Sequence, residues 1–232
     1  MSFMKKSFLI CFFGMDGSGK STLSHFLFEE LQKRKISTSR IWWLEREKSF
    51  LRKSFREMYK IFSPNFESNS SGGFSKEPHV FGFNFVFRLI FPRIIMIDYL
   101  IFGFLHAWIP IHFGEKKILI FDRYYPDIIS ALKEEFGIYE NHSILIKLFK
   151  IIIPEPDLVF IIKVMPEIAY TRKREEIFSI EDAKNIWQRH ENMYDNFIYK
   201  FHKSKILKID NSGDISETKK ILISEALNIL QE

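Results

Sequence analysis

The sequence predicts a three-layer α/β domain, in which a five-stranded parallel sheet lies between helices and carries a small lid. Three observations predict it. Short apolar runs alternate with amphipathic stretches along the chain, as in a parallel sheet whose strands are buried on both faces. The first of these runs ends in a glycine-rich turn that opens directly into a helical pattern. The chain has 232 residues, a length for one compact domain or one domain carrying an insertion.

Each element follows from its local pattern. Strands are expected at 7–13, 38–44, 117–121, 158–164 and 205–209, all short, apolar and mostly uninterrupted. Helices are expected at about 20–35, 45–61, 80–109, 127–137, 142–151, 166–177, 181–202 and 215–231. Ser63-Pro64-Asn65 through Ser70-Ser71-Gly72-Gly73 is rich in breakers and reads as a polar loop. No internal repeat or long heptad seam divides the chain, so residues 1–232 form a single domain in this reading.

Composition narrows the class. At 46% hydrophobic and 27% charged residues, wholesale disorder is excluded. A single cysteine excludes an internal disulfide or a cysteine zinc cluster, and suits a reducing, cytoplasmic setting. Lys plus Arg exceeds Asp plus Glu by 34 to 29, a mild excess that favours small anionic ligands and does not argue for nucleic acid. Lys5-Lys6 and the apolar run behind them imitate a leader, but no small-residue cleavage site follows, and Cys11 reads as a core thiol in a first strand. The longest stretch without Asp, Glu, Lys or Arg, 99–114, falls short of the roughly 20 residues of a membrane span.

The chemistry begins at Gly14-Met15-Asp16-Gly17-Ser18-Gly19-Lys20-Ser21-Thr22, which contains the full G-x-x-x-x-G-K-[ST] pattern between a strand and a helix. Glycines let backbone N–H groups turn inward around phosphate, and the helix N-terminus adds partial positive charge. Lys20 would reach the transferring phosphoryl of a nucleoside triphosphate, and Ser21 would offer a hydroxyl to Mg²⁺. A second motif, Ile118-Leu119-Ile120-Phe121-Asp122, is an apolar strand ending in an acid, with Arg123 and Tyr124 next. Asp122 would hold Mg²⁺ partly through water, and Arg123 would face an incoming anion. A third cluster, Tyr170-Thr171-Arg172-Lys173-Arg174, could be a solvated helix face or a source of arginines that close over phosphates.

Together these motifs resemble the thymidylate kinase family of nucleoside monophosphate kinases. The resemblance covers about 1–42 and 115–232, and includes Pro156-Asp157-Leu158 and the loop Asp210-Asn211-Ser212-Gly213 as an adenine-side loop. It implies a P-loop NTPase-type fold with a lid at about 166–182. It also implies an acceptor phosphate held by Arg123, with Tyr124 beside it, and an acceptor sugar hydroxyl on Asp16. Gly17 stands where some members carry a P-loop arginine, so Arg172 and Arg174 become the candidates for the catalytic charge. The family's Arg-Glu-Pro-Gly-Gly segment is absent; Trp42-Trp43-Leu44-Glu45-Arg46-Glu47 stands there. The acceptor-side region, about 45–113, is accordingly divergent, with Glu45 and Arg93 as its candidate acceptor contacts and Arg88 and Asp98 nearby.

The expected reaction is ATP- and Mg²⁺-dependent transfer to a nucleoside monophosphate, with thymidine monophosphate as the family default. An alternative is a kinase acting on a hydroxyl of a nucleoside or other metabolite, with Glu45 as base. A third is a non-catalytic nucleotide-dependent binding module. The 26 phenylalanines have competing explanations. Phe81, Phe83, Phe85, Phe87 and Phe91 with Trp108 suit a core, a homodimer face, or contact of 80–113 with a membrane surface.

Overall fold

The computed structural model describes residues 7–43, 85–136 and 144–231, the side chains of 85–91, 134–136 and 231 excepted. The predicted helix 45–61, the loop at 63–73, and Glu45, Phe81 and Phe83 lie outside the described residues, as do the side chains of Phe85, Phe87, Arg88 and Phe91.

Five strands, β1 (Phe8–Phe13), β2 (Thr38–Trp42), β3 (Ile118–Asp122), β4 (Leu158–Lys163) and β5 (Lys205–Asp210), pair in the order β2-β3-β1-β4-β5, all parallel. The expected three-layer α/β fold is the one found. The central strands are buried on both faces, and their period of two divides the core. Leu9, Cys11, Phe13, Leu119, Phe121, Val159 and Ile161 point to one side, Ile10, Phe12, Ile118, Ile120, Leu158 and Phe160 to the other.

Helix α1 (Lys20–Lys33) covers the second side with Leu23, Leu27 and Leu31, one stripe at helical spacing. It is joined there by Leu222, Ala226 and Ile229 of α8 (Ile215–Gln231). The first side is covered by α2 (Phe85–Gly103), α4 (Tyr125–Phe136), α5 (Ile144–Ile152) and α7 (Ile180–Asn196). The connection after β1 thus crosses one face and the connection after β3 the other. Ligands of such sheets bind outside the C-terminal ends of the strands at which the connections diverge in this way.

Two helices end earlier than expected. The lid helix α6 (Pro166–Arg172) stops five residues short of the predicted 177, because Ile177 turns back into a small cluster with Met15, Val164, Ala169 and Ala183 while residues 173–176 stay exposed. The predicted helix 181–202 ends at Asn196; a 3₁₀ turn, Ile198–Lys200, follows, and Phe197, Ile198 and Phe201 all enter the core. Ser179 caps α7, its hydroxyl accepting from the Asp182 N–H at 3.0 Å.

The expected helix 80–109 runs further. After α2 come one π turn, Phe104–Trp108, and α3 (Ile109–Phe113), without a break in helical dihedrals. Pro110 has no N–H for the preceding turn, and the wide turn before it, closed by Ile109 N–H on the Phe104 carbonyl, accommodates its ring. The chain stays helical across charged Arg93 and Asp98. Pro92–Phe113, 22 residues with a mean hydropathy of 1.8, is therefore long and apolar enough by length and composition to cross a membrane; 33% of it is buried in the fold.

Candidate functional site

The loop 14–19 leaves β1 and wraps the N-terminus of α1. Gly17 has φ 83°, and a Cβ there would stand 2.8 Å from the Ala169 carbonyl of the lid helix. Gly19 has φ 88°, and its Cβ would meet Asn211 Nδ2 at 2.7 Å. Only glycine fits two left-handed positions so closely faced. Asn211 Nδ2 donates to the Ser18 carbonyl at 2.8 Å, which ties the loop after β5 to the P-loop. Lys20 is buried, and its Nζ donates to Asp16 Oδ1 at 2.9 Å and to the Met15 carbonyl at 3.3 Å. The Met15 side chain belongs to the small core cluster under the lid, whereas Ser21 and Thr22 are exposed on the first turn of α1.

Asp16 is shared. Arg123 Nη2 also donates to its Oδ1, and Arg123 Nη1 lies 3.5 Å from Asp127 Oδ1. Burial by itself raises the Asp16 pKa, but Arg123 and Lys20 outweigh it and hold the carboxyl well below the usual range. Lys20 is lowered by burial and by Arg123, against the pull of Asp16. Arg123 sits at φ 69°, unusual for a side chain of this size, in a turn whose N–H donates to the Phe12 carbonyl at 3.1 Å. The next residue, Tyr124, is fully buried. Its ring packs on Trp43 and Phe121, and its hydroxyl donates to the Pro154 carbonyl at 2.9 Å. Its side chain thus lies in the core, while its N–H donates to Asp127 Oδ2 at 3.1 Å and helps to orient the acid beside Arg123.

Asp122, at the end of β3, has two oxygens with different surroundings. Oδ2 accepts from Arg40 Nη2 at 3.1 Å and from Ser24 Oγ at 3.5 Å; Oδ1 is buried without a hydrogen-bond partner among the described residues. An orphaned, buried carboxylate oxygen suits a divalent cation. No group of three or more His, Cys, Asp or Glu among the described residues could hold a metal by itself, so an ion here would complete its shell with phosphate and water.

The lid contributes Arg172, whose Nη1 donates to the Gly17 carbonyl at 3.3 Å and Nη2 to the Asn211 carbonyl at 3.1 Å. Arg174 is exposed with its guanidinium 5.8 Å from the Tyr170 ring centroid. The structure thus brings Gly14–Ser21, Asp122, Arg123 and Arg172 together at the ends of β1 and β3. Arg93 is exposed on α2.

Sequence reasoning missed three residues, Arg40, Asp127 and His190, and gave Asn211 only as part of an adenine-side loop, without its bond to the P-loop. His190 on α7 feels the charges of Arg123, Lys20 and Asp16; burial first, then Arg123 and Lys20, bring its pKa down to about 3, and its Nδ1 is buried without a partner among the described residues. For Arg40, the one available signal was a charge in the middle of an expected strand.

An all-parallel sheet in this order, with a P-loop after β1 and an acid at the end of β3, defines a thymidylate kinase-like P-loop fold. Among solved structures, the chain is similar to a thymidylate kinase from Ehrlichia chaffeensis at 21% identity, with a TM-score of 0.53, covering 97% of this chain and 98% of that one. At that identity the likeness is one of fold. No family model and no curated protein matches the chain.

Proposed function

We propose that the chain is an ATP-dependent kinase that phosphorylates a nucleoside monophosphate, with thymidine monophosphate the first candidate. The observation that carries this reading is the Lys20–Asp16–Arg123 chain, a donor-side lysine and a strand-end arginine meeting on one carboxylate. When ATP enters, Lys20 leaves Asp16 for the phosphates, and Asp16 is released to accept a hydroxyl of the acceptor. Arg123 then faces the acceptor phosphate with a forked, bidentate donor.

An acceptor phosphate is already anionic near neutral pH, so the reaction needs no general base. Catalysis is alignment plus neutralisation of charge by Lys20 and Arg172, with Arg174 arriving on closure. Ser21 and Asp122 would hold Mg²⁺, partly through water, and the ion supplies neutralisation of the outer phosphates when bound. The chain is read as cytoplasmic and homodimeric, with the apolar outer face of 97–105 as the surface a second copy, or a membrane surface, would cover.

ATP consumption over a panel of nucleosides and their monophosphates tests this. Turnover with one or more monophosphates, abolished in K20A, is the expected result. Turnover with plain nucleosides alone would instead favour the hydroxyl kinase with Glu45 as base, and binding of ATP without turnover would favour a binding module.

A further inference from the structure

Arg40 takes no part in the mechanism above, yet it makes three contacts at the heart of the site. Its Nε donates to Ser24 Oγ at 3.0 Å, and its Nη2 donates to Asp122 Oδ2 at 3.1 Å and to the Ser21 carbonyl at 3.4 Å. The guanidinium thus joins β2 to the first turn of α1 and to the end of β3. The register explains how. Arg40 stands opposite Ile120 and so shares a sheet face with Asp122, two residues on, beneath α1.

We infer that Arg40 is a positioning residue for the metal site, fixing the Asp122 carboxylate through Oδ2 and so leaving Oδ1 for a divalent cation held together with Ser21. The inference rests on the reading of Ser21 and Asp122 as magnesium ligands. Three features support it. Asp122 is 1% exposed at its side chain, so water does little to set its orientation. Its Oδ2 is held by Arg40 and Ser24, so the carboxylate cannot rotate without breaking both contacts. Its Oδ1 alone is left without a partner among the described residues. A planar fork can hold a hydroxyl and a carboxylate together; a lysine ammonium, a single point charge on a flexible stem, holds that geometry poorly. Residues that orient a ligand from behind commonly change metal affinity by about 10- to 100-fold when removed.

The test is Mn²⁺ binding to the full chain in the presence of ADP, read as loss of the free-ion electron paramagnetic resonance signal. D122N examines the underlying site and is expected to lose the ADP-dependent Mn²⁺ binding. R40A is expected to bind Mn²⁺ about 10- to 100-fold more weakly, R40K to recover little, and ADP affinity without metal to change little in both. R40A with wild-type or tighter Mn²⁺ binding, beside a deficient D122N, overturns the positioning role and leaves the metal site standing; tighter binding would mean that Arg40 competes with the ion. Mn²⁺ binding that ignores D122N overturns the metal site and the role of Arg40 together. Should R40A fail to fold, R40Q and R40K carry the same comparison.

Discussion

The strand-end site and the helical run from α2 to α3 are built from opposite materials. At the strand ends charge is paired with charge: Lys20 and Arg123 with Asp16, Arg123 with Asp127, and Arg40 with Asp122. Beyond Arg93, the outer face of the run from α2 through the π turn to α3 is mostly apolar, interrupted by His106 and His112. Ile97, Ile101, Phe104, Leu105 and Phe113 are exposed, and Trp108 stacks between Phe104 and His112. Removing one member of the first set takes a partner from a shared carboxylate, as at Asp16, or from a buried one, as at Asp122, so function there is sensitive to single atoms. Removing one exposed member of the second changes what the helix can meet, and little of what holds it in place.

The sharpest way to break this contrast is K20A. It is expected to lower turnover a hundredfold or more, about 3 kcal/mol of transition-state stabilisation, while circular dichroism stays native. Wild-type turnover in K20A would remove the P-loop from the mechanism.

Next in size comes the lid. R172A is expected to lower kcat by about tenfold or more with ATP affinity little changed, the pattern of an interaction made mainly in the transition state. R174A is expected to lower it less, because its guanidinium lies over Tyr170 rather than on the P-loop. Normal kcat in both would move the catalytic cation away from the lid.

A smaller effect concerns pH. His190 titrates at about 3 in the fold, below the roughly 6.5 of an unfolded histidine. The unfolded chain therefore takes up this proton first, and stability that is complete above pH about 6.5 is lost progressively as the pH falls towards 3. Melting temperatures at about pH 7.5 and 5.5 should show a steeper fall for wild type than for H190N. Equal slopes would mean that His190 is not the group responsible.

The smallest expected change is I101S, within about 0.5 kcal/mol in denaturant unfolding, since this side chain is 48% exposed. A large loss of stability, or a shift in sedimentation, would show that the outer face is covered by a partner.

What could be read from the chain was local. The P-loop, the acid ending β3 and the cap at Ser179 are set by residues adjacent or a few positions apart, where glycine dihedrals, alternation and capping act directly. Tyr124 shows where adjacency misleads. It follows Arg123 in sequence, but the left-handed turn at Arg123 sends one side chain to the strand-end site and the next into the core. Asp127 and His190 carry no spacing motif, and their meaning depends on neighbours from other elements.

By itself, then, the sequence determined the strand pattern, the phosphate-binding turn and the identity of the acid and arginine at the end of β3. Only the tertiary structure decided that Arg40 meets Asp122 across 82 positions, that Arg123 meets Asp16 across 107, and that Asn211 meets Ser18 across 193. The reason is physical. Backbone conformation and burial pattern respond to nearest neighbours, whereas an ion pair or a buried hydrogen bond depends on where the parallel sheet delivers the ends of distant strands.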